Sequence, residues 1–219
     1  VTLLISTSCV YNNLNTNHYL LSPDESLSFT LHADQENISY SLKKDGNTLI
    51  NQSQLGIVAD QFEFSNDIQI KNITRSSNNS TWIQVWGEQK QIVDHHNELA
   101  IHVTSNANDI QMIIRFRLFN DGLGFRYEIP EQKELNEFKI MDELTEFNFA
   151  EDATSWWIPA YSYRRFEFLY ANTLISEISR DTYSKLVENL NGPRLGPEAV
   201  HTPFTVQRND GICIAIHEA

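Results

Sequence analysis

The sequence predicts an all-β protein, a large antiparallel β-sandwich with at most one or two short helices. Apolar and polar residues alternate along most of the 219 residues, which is the pattern of strands with one buried face. Turn sequences of the Asp-Gly type separate several of these runs, and helical periodicity is scarce. No internal period is present, and a composition with only 8 glycines and 6 prolines does not indicate a repeat array.

Two alternating runs near the start predict the first strands. Residues 27–33 (LSFTLHA) and 38–42 (ISYSL) each place their apolar side chains on one face. The second run leads into KKDGNT, in which Asp45 and Gly46 supply the positive φ angles of a tight turn. The sequence therefore predicts half-buried strands and a tight hairpin in this region.

A longer hairpin is predicted in the middle of the chain. Apolar positions alternate through residues 110–118 and 125–129, on either side of the turn sequence NDG at 120–122. The outward-facing positions between them include four charged residues, Arg115, Arg117, Arg126 and Glu128. An antiparallel sheet with one wet face shows this division into an apolar and a charged side.

The last third of the chain contains one more turn and the single plausible helix. Asp210-Gly211 separates the strand-like runs FTVQR and ICIAI. The helix is predicted over residues 183–190 (YSKLVENL), and Gly192-Pro193 would end it. Cys213, within ICIAI, is predicted to be a small core residue.

The charge balance excludes some classes of partner. The chain has 16 basic and 29 acidic residues, a formal net charge of −13, which repels nucleic acid and anionic membrane surfaces. No run approaches the roughly 18 apolar residues that span a bilayer, so no transmembrane segment is predicted. A neutral ligand or a cation is the expected binding partner.

The first 20 residues predict export. VTLLISTSCVYNN resembles the end of a secretory signal, and we expect residues 1–20 to be a residual signal and linker segment. Cys9 is a candidate lipid attachment site, although Ser6 stands where a larger aliphatic residue is usual. Two cysteines make neither a disulfide framework nor a metal cluster.

Three other features invite a functional interpretation. Adjacent His95 and His96 would point to opposite faces of a strand, so polarity of a turn or interface is favoured over a metal pair. Trp82 and Trp86 would share a strand face, which favours a core or interface role. The acidic residues of 142–152 (DELTEFNFAED) lack a glycine-centred calcium loop, and a solvated face is predicted.

The stretch AEDATSWWIPAYSYRRFEFLY, residues 150–170, combines an aromatic cluster with one carboxylate, Glu167, between Phe166 and Phe168. The residues alone favour an ordinary strand in which Arg165 and Glu167 form a surface pair. A carboxylate beside tryptophan and tyrosine is also the composition of a sugar site. No serine or cysteine nucleophile motif and no glycine-rich phosphate loop is present, so both interpretations remain open.

Six stretches resemble, in order and spacing, the N-terminal domain of glycoside hydrolase family 97. They are SPDESLSFTL, VWGEQKQIVDHHNEL, IIRFRLFNDGLGFRYEIPEQ, LTEFNFAEDATSWWIPAY, ISEI and DGICIAIHEA. The resemblance extends from about residue 21 to 219, and RFRLFNDGLGFRYE and EDATSWWIPAY are long enough to be specific. One departure is DHHNEL in place of the family's usual NHYNEL, which puts His96 where an aromatic residue is common.

The resemblance implies the fold and activity of a larger enzyme. Residues 21–219 would form an N-terminal β-super-sandwich, truncated at its C-terminal end, of an exported bacterial α-glycosidase. An α-glucosidase is expected first and an α-galactosidase second, in the periplasm, at the cell surface or secreted. The catalytic acid, and the base or nucleophile, would lie on a (β/α)₈ barrel absent from this chain, so no catalytic residue is assigned and the chain alone is expected to be inactive.

The resemblance also implies a Ca²⁺ ion at the active site, with Glu167 as the ligand from this domain. Trp157 and Glu218 are the candidate substrate-binding residues for an α-linked oligosaccharide. Two alternatives from other classes stay open. One is a stand-alone carbohydrate-binding module, and the other is a structural domain that packs on a partner through its tryptophan and tyrosine face.

Overall fold

The computed structural model describes residues 16–33, 37–133, 135–160, 168–179, 181–183 and 199–218. Contacts within the chain divide it into two compact units, Val1–Ala150 and Glu151–Ala219. The described residues of both units form antiparallel sheets, and the helical residues among them are a short 3₁₀ turn at 175–177 and residues 181–183. The predicted all-β class is confirmed.

The first sheet of unit one is a four-stranded meander in the order β1-β2-β3-β4. Its strands are β1 (Thr16–Leu21), β2 (Leu27–Ala33), β3 (Ile38–Lys44) and β4 (Asn47–Leu55). Burial alternates strictly along β2, as its sequence pattern predicts. The predicted turn between β3 and β4 is present, because Asp45 and Gly46 adopt φ angles of 48° and 83°.

The second sheet of unit one has the order β6-β7-β8-β9. Its strands are β6 (Ile68–Ile83), β7 (Gln91–Ser105), β8 (Gln111–Leu118) and β9 (Leu123–Glu128). The predicted hairpin joins β8 to β9, where the amide of Phe119 donates to the carbonyl of Gly122 at 2.8 Å. A two-stranded sheet of β5 (Ile57–Ala59) and β10 (Ile140–Glu143) completes the unit.

Aromatic side chains fill the space between the two four-stranded sheets. The ring of Phe29 on β2 lies 4.6 Å from that of Phe116 on β8, centroid to centroid, and both side chains are fully buried. Tyr40 on β3 lies 6.0 Å from Phe125 on β9. The Tyr40 hydroxyl donates to the carbonyl of Glu146 at 2.9 Å, and burial raises the pKa of this phenol. These contacts make unit one a sandwich.

The outer face of the second sheet carries the predicted charges, joined in one network. The Arg115 guanidinium donates to Glu128 at 2.7 and 3.0 Å, and to Glu98 on β7 at 2.5 Å. Glu98 also accepts from Arg117 at 2.8 Å, and Glu128 accepts from Arg126 at 2.6 Å. The network therefore links three neighbouring strands across the wet face.

The arginines change the acidity of both carboxylates. Hydrogen bonds from Arg115 lower the pKa of Glu128 from its ordinary 4.5 to about 2. Burial acts to raise the pKa of Glu98, but the hydrogen bonds from Arg117 and Arg115 outweigh it and the pKa is lowered. Both carboxylates therefore stay ionised well below neutral pH.

Unit two contains the sheet β12-β11-β13-β14. Its elements are β11 (Thr154–Trp157), β12 (Ala171–Leu174), the 3₁₀ helix η1 (Ile175–Glu177), β13 (Phe204–Gln207) and β14 (Cys213–Ile216). The third predicted turn joins β13 to β14, with Gly211 at φ 87°. The predicted core position of Cys213 is wrong, because β14 is an edge strand and this thiol is exposed. The helix predicted over 183–190 lies outside the described residues except for Tyr183.

The contact between Phe29 and Phe116 gives a stability prediction. We expect Phe116→Ala to lower the free energy of unfolding by about 3–5 kcal/mol, because it leaves a cavity between the sheets. Phe116→Leu should cost less, since it keeps most of the apolar volume. Urea denaturation of the chain measures both. Tyr19→Ala is the control, because this side chain is 63% exposed, and it should change stability by less than about 0.5 kcal/mol.

The ion network gives a prediction of pH dependence. The pKa of Glu128 is lower in the folded chain than its ordinary value, so its stabilising effect is complete above pH 4.5 and is lost as the pH falls towards 2. Because solvent screens the interaction, we expect this carboxylate to contribute about 1 kcal/mol to the free energy of unfolding. We expect Glu128→Gln to reduce the change in unfolding free energy between pH 7 and pH 2.5 by that amount. Glu131→Gln, at an exposed position, should leave the pH profile unchanged, and an identical profile for both variants would contradict the network.

Candidate functional site

Two of the predicted site residues of unit two lie at the same end of its sheet, where strands begin or end. Trp157 ends β11 and is paired with Ala171, the first residue of β12. At the same end β13 begins at Phe204, which is paired with Ile216 at the end of β14. Glu218 is the second residue after β14 and is exposed. This end of the sheet, where these strands begin or end, is the candidate functional site.

Trp157 is packed inside unit two. Its side chain is 2% exposed, and its indole N–H donates to the Thr173 hydroxyl on the neighbouring strand at 3.0 Å. Its ring lies 5.5 Å from that of Tyr183. A tryptophan with its faces covered and its N–H satisfied stabilises this end of the sheet. Contact between Trp157 and a substrate stays a prediction.

Tyr183 is a residue of the site that the sequence did not single out. It is fully buried, its ring lies 6.3 Å from that of Phe168 in a T-shaped arrangement, and its hydroxyl donates to the carbonyl of Leu169 at 3.0 Å. Burial raises the pKa of this phenol, so it remains a hydrogen-bond donor at neutral pH. Tyr183 therefore fixes the chain just before β12.

Glu167, the predicted calcium ligand, lies outside the described residues. The chain on either side of it is held by hydrogen bonds. Before it, the amide of Ala160 donates to the carbonyl of Ala199 at 2.9 Å, and after it Leu169 accepts the bond from Tyr183. Both ends of the segment that contains Glu167 are thus fixed within unit two.

Acidic side chains in and near the stretch 142–152 bond to backbone and neighbouring side chains. Asp152 accepts from the hydroxyl of Ser176 at 2.7 Å and from its amide at 2.9 Å, and these bonds lower the pKa of Asp152. Glu146 accepts from the amide of Gln54 at 2.9 Å. Most acids of this stretch are exposed, as predicted, and no group of three or more metal-binding side chains occurs among the described residues.

The two adjacent histidines lie on β7 and not in a turn. His96 is 4% exposed, its Nδ1 lies 2.6 Å from the Asp94 carboxylate, and its ring contacts that of Phe119 at 5.1 Å. His95 occupies the next position, whose side chain points to the other face of the strand. The two imidazoles therefore do not point towards one common ion, and a role in an interface stays a prediction.

Trp82 and Trp86 are both at the surface. Trp82 is 52% exposed near the end of β6, and Trp86 is 89% exposed in the loop that follows. The core interpretation is wrong, because these residues lie where the β6–β7 hairpin has left the sheet, and they do not share one strand. A role in an interface stays a prediction.

Along the described chain, no helix has the length and apolar character needed to cross a membrane.

Comparison with known proteins identifies the family. The model of the family described as "Glycosyl-hydrolase 97 N-terminal" matches residues 20–219. A glycoside hydrolase family 97 enzyme from Pseudoalteromonas sp. strain K8, solved as a variant in complex with panose, is 35% identical with a TM-score of 0.77. The enzyme from this strain in complex with acarbose is 35% identical with a TM-score of 0.74.

Both alignments cover 92% of this chain and 28% of the enzyme chain, so the chain spans less than a third of these relatives. A β-arabinopyranosidase structure is 21% identical with a TM-score of 0.65, and the alignment covers 70% of this chain and 26% of the β-arabinopyranosidase chain. This similarity supports the fold alone. On the family match and the 35% identity, the chain belongs to glycoside hydrolase family 97, as its N-terminal β-sandwich domain.

Proposed function

We propose that the full-length protein is a calcium-dependent α-glycosidase that acts on α-linked oligosaccharides, with α-glucosides preferred to α-galactosides. The observation that carries this proposal is the 35% identity over 92% of the chain to family enzymes solved with panose and acarbose. Panose is an α-linked trisaccharide of glucose. An enzyme that binds it supports an α-glucoside as the substrate of this protein.

The part of this domain in catalysis is a contribution to the metal site. A Ca²⁺ ion takes six to eight oxygen ligands. Among the described residues, no set of three or more metal-binding side chains lies close enough together to hold it. One carboxylate from Glu167 fits a site completed by oxygens of the catalytic domain. When bound, the ion supplies positive charge that binds substrate hydroxyls.

The fixed ends of the Glu167 segment support this assignment. A metal ligand delivered across a domain boundary must be placed to within a fraction of an ångström, which requires a rigid support. The support here consists of the bond between Ala160 and Ala199 and the buried Tyr183 hydroxyl on Leu169. At the same end of the sheet, Glu218 is exposed, which supports its role as a substrate contact.

We also propose that the protein is exported, to the periplasm, the cell surface or the medium. The composition of residues 1–20 and the expected polysaccharide-derived substrate support export, and Cys9 is the proposed lipid attachment site. Residues 1–15, and therefore Cys9, lie outside the described structure. Metabolic labelling with palmitate, with Cys9→Ser as the comparison, tests the attachment.

The calcium role gives a prediction for Glu167. In the full-length protein, Glu167→Gln should weaken Ca²⁺ binding roughly tenfold or more and lower hydrolysis of an aryl α-glucoside at limiting Ca²⁺, because one charged ligand is lost. Isothermal titration with Ca²⁺ and the calcium dependence of the rate measure the two effects. Circular dichroism should show an unchanged fold.

Glu137→Gln, at an exposed position of unit one, is the control for charge removal and should leave calcium binding unchanged. Equal calcium dependence in Glu167→Gln and the parent protein would overturn the assignment of the ligand. Absence of any calcium effect in the parent would overturn calcium dependence itself.

A second prediction concerns the chain on its own. The 219-residue chain should not hydrolyse aryl α-glucosides, because the proposed catalytic acid and base lie elsewhere in the protein. It should also bind maltooligosaccharides weakly or not at all, since Trp157 is buried against Tyr183. Turnover by the pure chain, or sugar binding that Trp157→Ala abolishes while the fold persists, would favour the carbohydrate-binding alternative.

A further inference from the structure

The β6–β7 hairpin extends beyond the sheet to which it belongs. Pairing of β7 with β8 begins at Asn97, opposite Leu118, whereas pairing of β7 with β6 continues to Gln91, opposite Ile83. The six additional pairs, from Asn78 with His96 onwards, form a two-stranded ribbon about 20 Å long. We call this ribbon and its end loop, residues 78–96, the arm.

The tip of the arm exposes five large apolar side chains. Their exposed fractions are 52% for Trp82, 69% for Ile83, 101% for Val85, 89% for Trp86 and 63% for Val93. Trp82 and Ile83 are neighbours on β6 and point to opposite faces of the ribbon, whereas Val93, which is paired with Thr81, lies on the face of Ile83. The exposed apolar side chains therefore surround the tip on both faces of the ribbon and in its end loop.

The end loop has a defined shape. The amide of Gln84 donates to the carbonyl of Lys90 at 3.2 Å, and the Gln84 side-chain amide donates to the carbonyl of Gln89. Gly87 has a φ angle of 148°, and a Cβ added there would lie 2.5 Å from the Gln84 amide nitrogen. These bonds close the backbone of the loop that carries Trp86, and a preformed loop lowers the entropic cost of binding.

The chemistry of the tip favours a protein partner. Three of the five exposed side chains, Ile83, Val85 and Val93, are aliphatic and offer no flat face for stacking on a sugar ring. A chain with a formal net charge of −13 is repelled by an anionic membrane surface. A shaped apolar tip on a narrow support is typical of an element that inserts into a groove of another protein surface.

We propose that the tip of the arm docks on the catalytic domain of the same polypeptide. The chain spans 28% of the family enzymes it matches, so most of the enzyme lies outside it and is covalently tethered to it. A tether holds the two surfaces at an effective concentration near the millimolar range. A two-stranded ribbon is also marginally stable alone in water, and such a contact would stabilise it. The inference rests on the proposed function, which assigns a catalytic domain to the rest of the protein.

The experiment measures the accessibility of residue 85 in the full-length protein. Val85→Cys is labelled with a maleimide, and mass spectrometry of the peptide that contains residue 85 gives the rate. We expect labelling roughly tenfold slower in the native protein than in the urea-unfolded protein, and no change over roughly 100-fold dilution. Asn47→Cys, at the exposed start of β4, should react quickly in both states and serves as the matched control.

Three results would overturn the inference. Native labelling of Val85→Cys as fast as that of Asn47→Cys would show a free tip. Protection that disappears on dilution would show that a second copy covers it. Protection that appears only with added panose would show a sugar site. Aryl α-glucoside hydrolysis is measured on the same preparations. An active enzyme with a free tip would contradict this inference alone. An inactive enzyme with a protected tip would contradict the proposed activity alone.

Discussion

The structure of unit one depends on burying one face of each of its two large sheets against the other. Phe29 and Phe116, 4.6 Å apart between ring centroids, occupy the centre of that contact, and Tyr40 and Phe125 continue it. A strand whose side chains alternate between two environments has only one register that keeps the apolar set inside, since a slip of one residue would expose all of it. The aromatic contact therefore fixes the register of β2, β3, β8 and β9 together.

The charged network on the opposite face follows from the same constraint. Once alternate residues of β8 are committed to the core, Arg115 and Arg117 must face outward, where Glu98 is 9% exposed and Glu128 half-buried. A carboxylate removed from water in this way requires hydrogen-bonded partners, and the arginines provide them on neighbouring strands. The network is thus a consequence of the register, and it adds charge complementarity to a pairing that the core has already selected.

The local features of this chain could be predicted from its sequence, and the long-range ones could not. Asp45-Gly46 determines its own turn, because positive φ angles are a local property of those residues. Cys213 has the apolar neighbours of a core residue, but its exposure depends on β14 being an edge strand. The exposure of Trp86 likewise depends on where β8 stops pairing with β7. Tyr183 bonds to Leu169 across a stretch whose sequence carries no sign of that contact.

On the proposed function, this domain contributes one carboxylate, that of Glu167, to the metal site. The chain enters the segment of Glu167 at Ala160 and leaves it at Leu169, and both points are hydrogen-bonded to other parts of the unit. Fixing the two ends of a loop removes much of the conformational entropy that placing a single side chain would otherwise cost. Trp157 packs on Tyr183 and so supports the second of these points. On the proposed function, these contacts hold the described backbone on either side of the segment that contains Glu167.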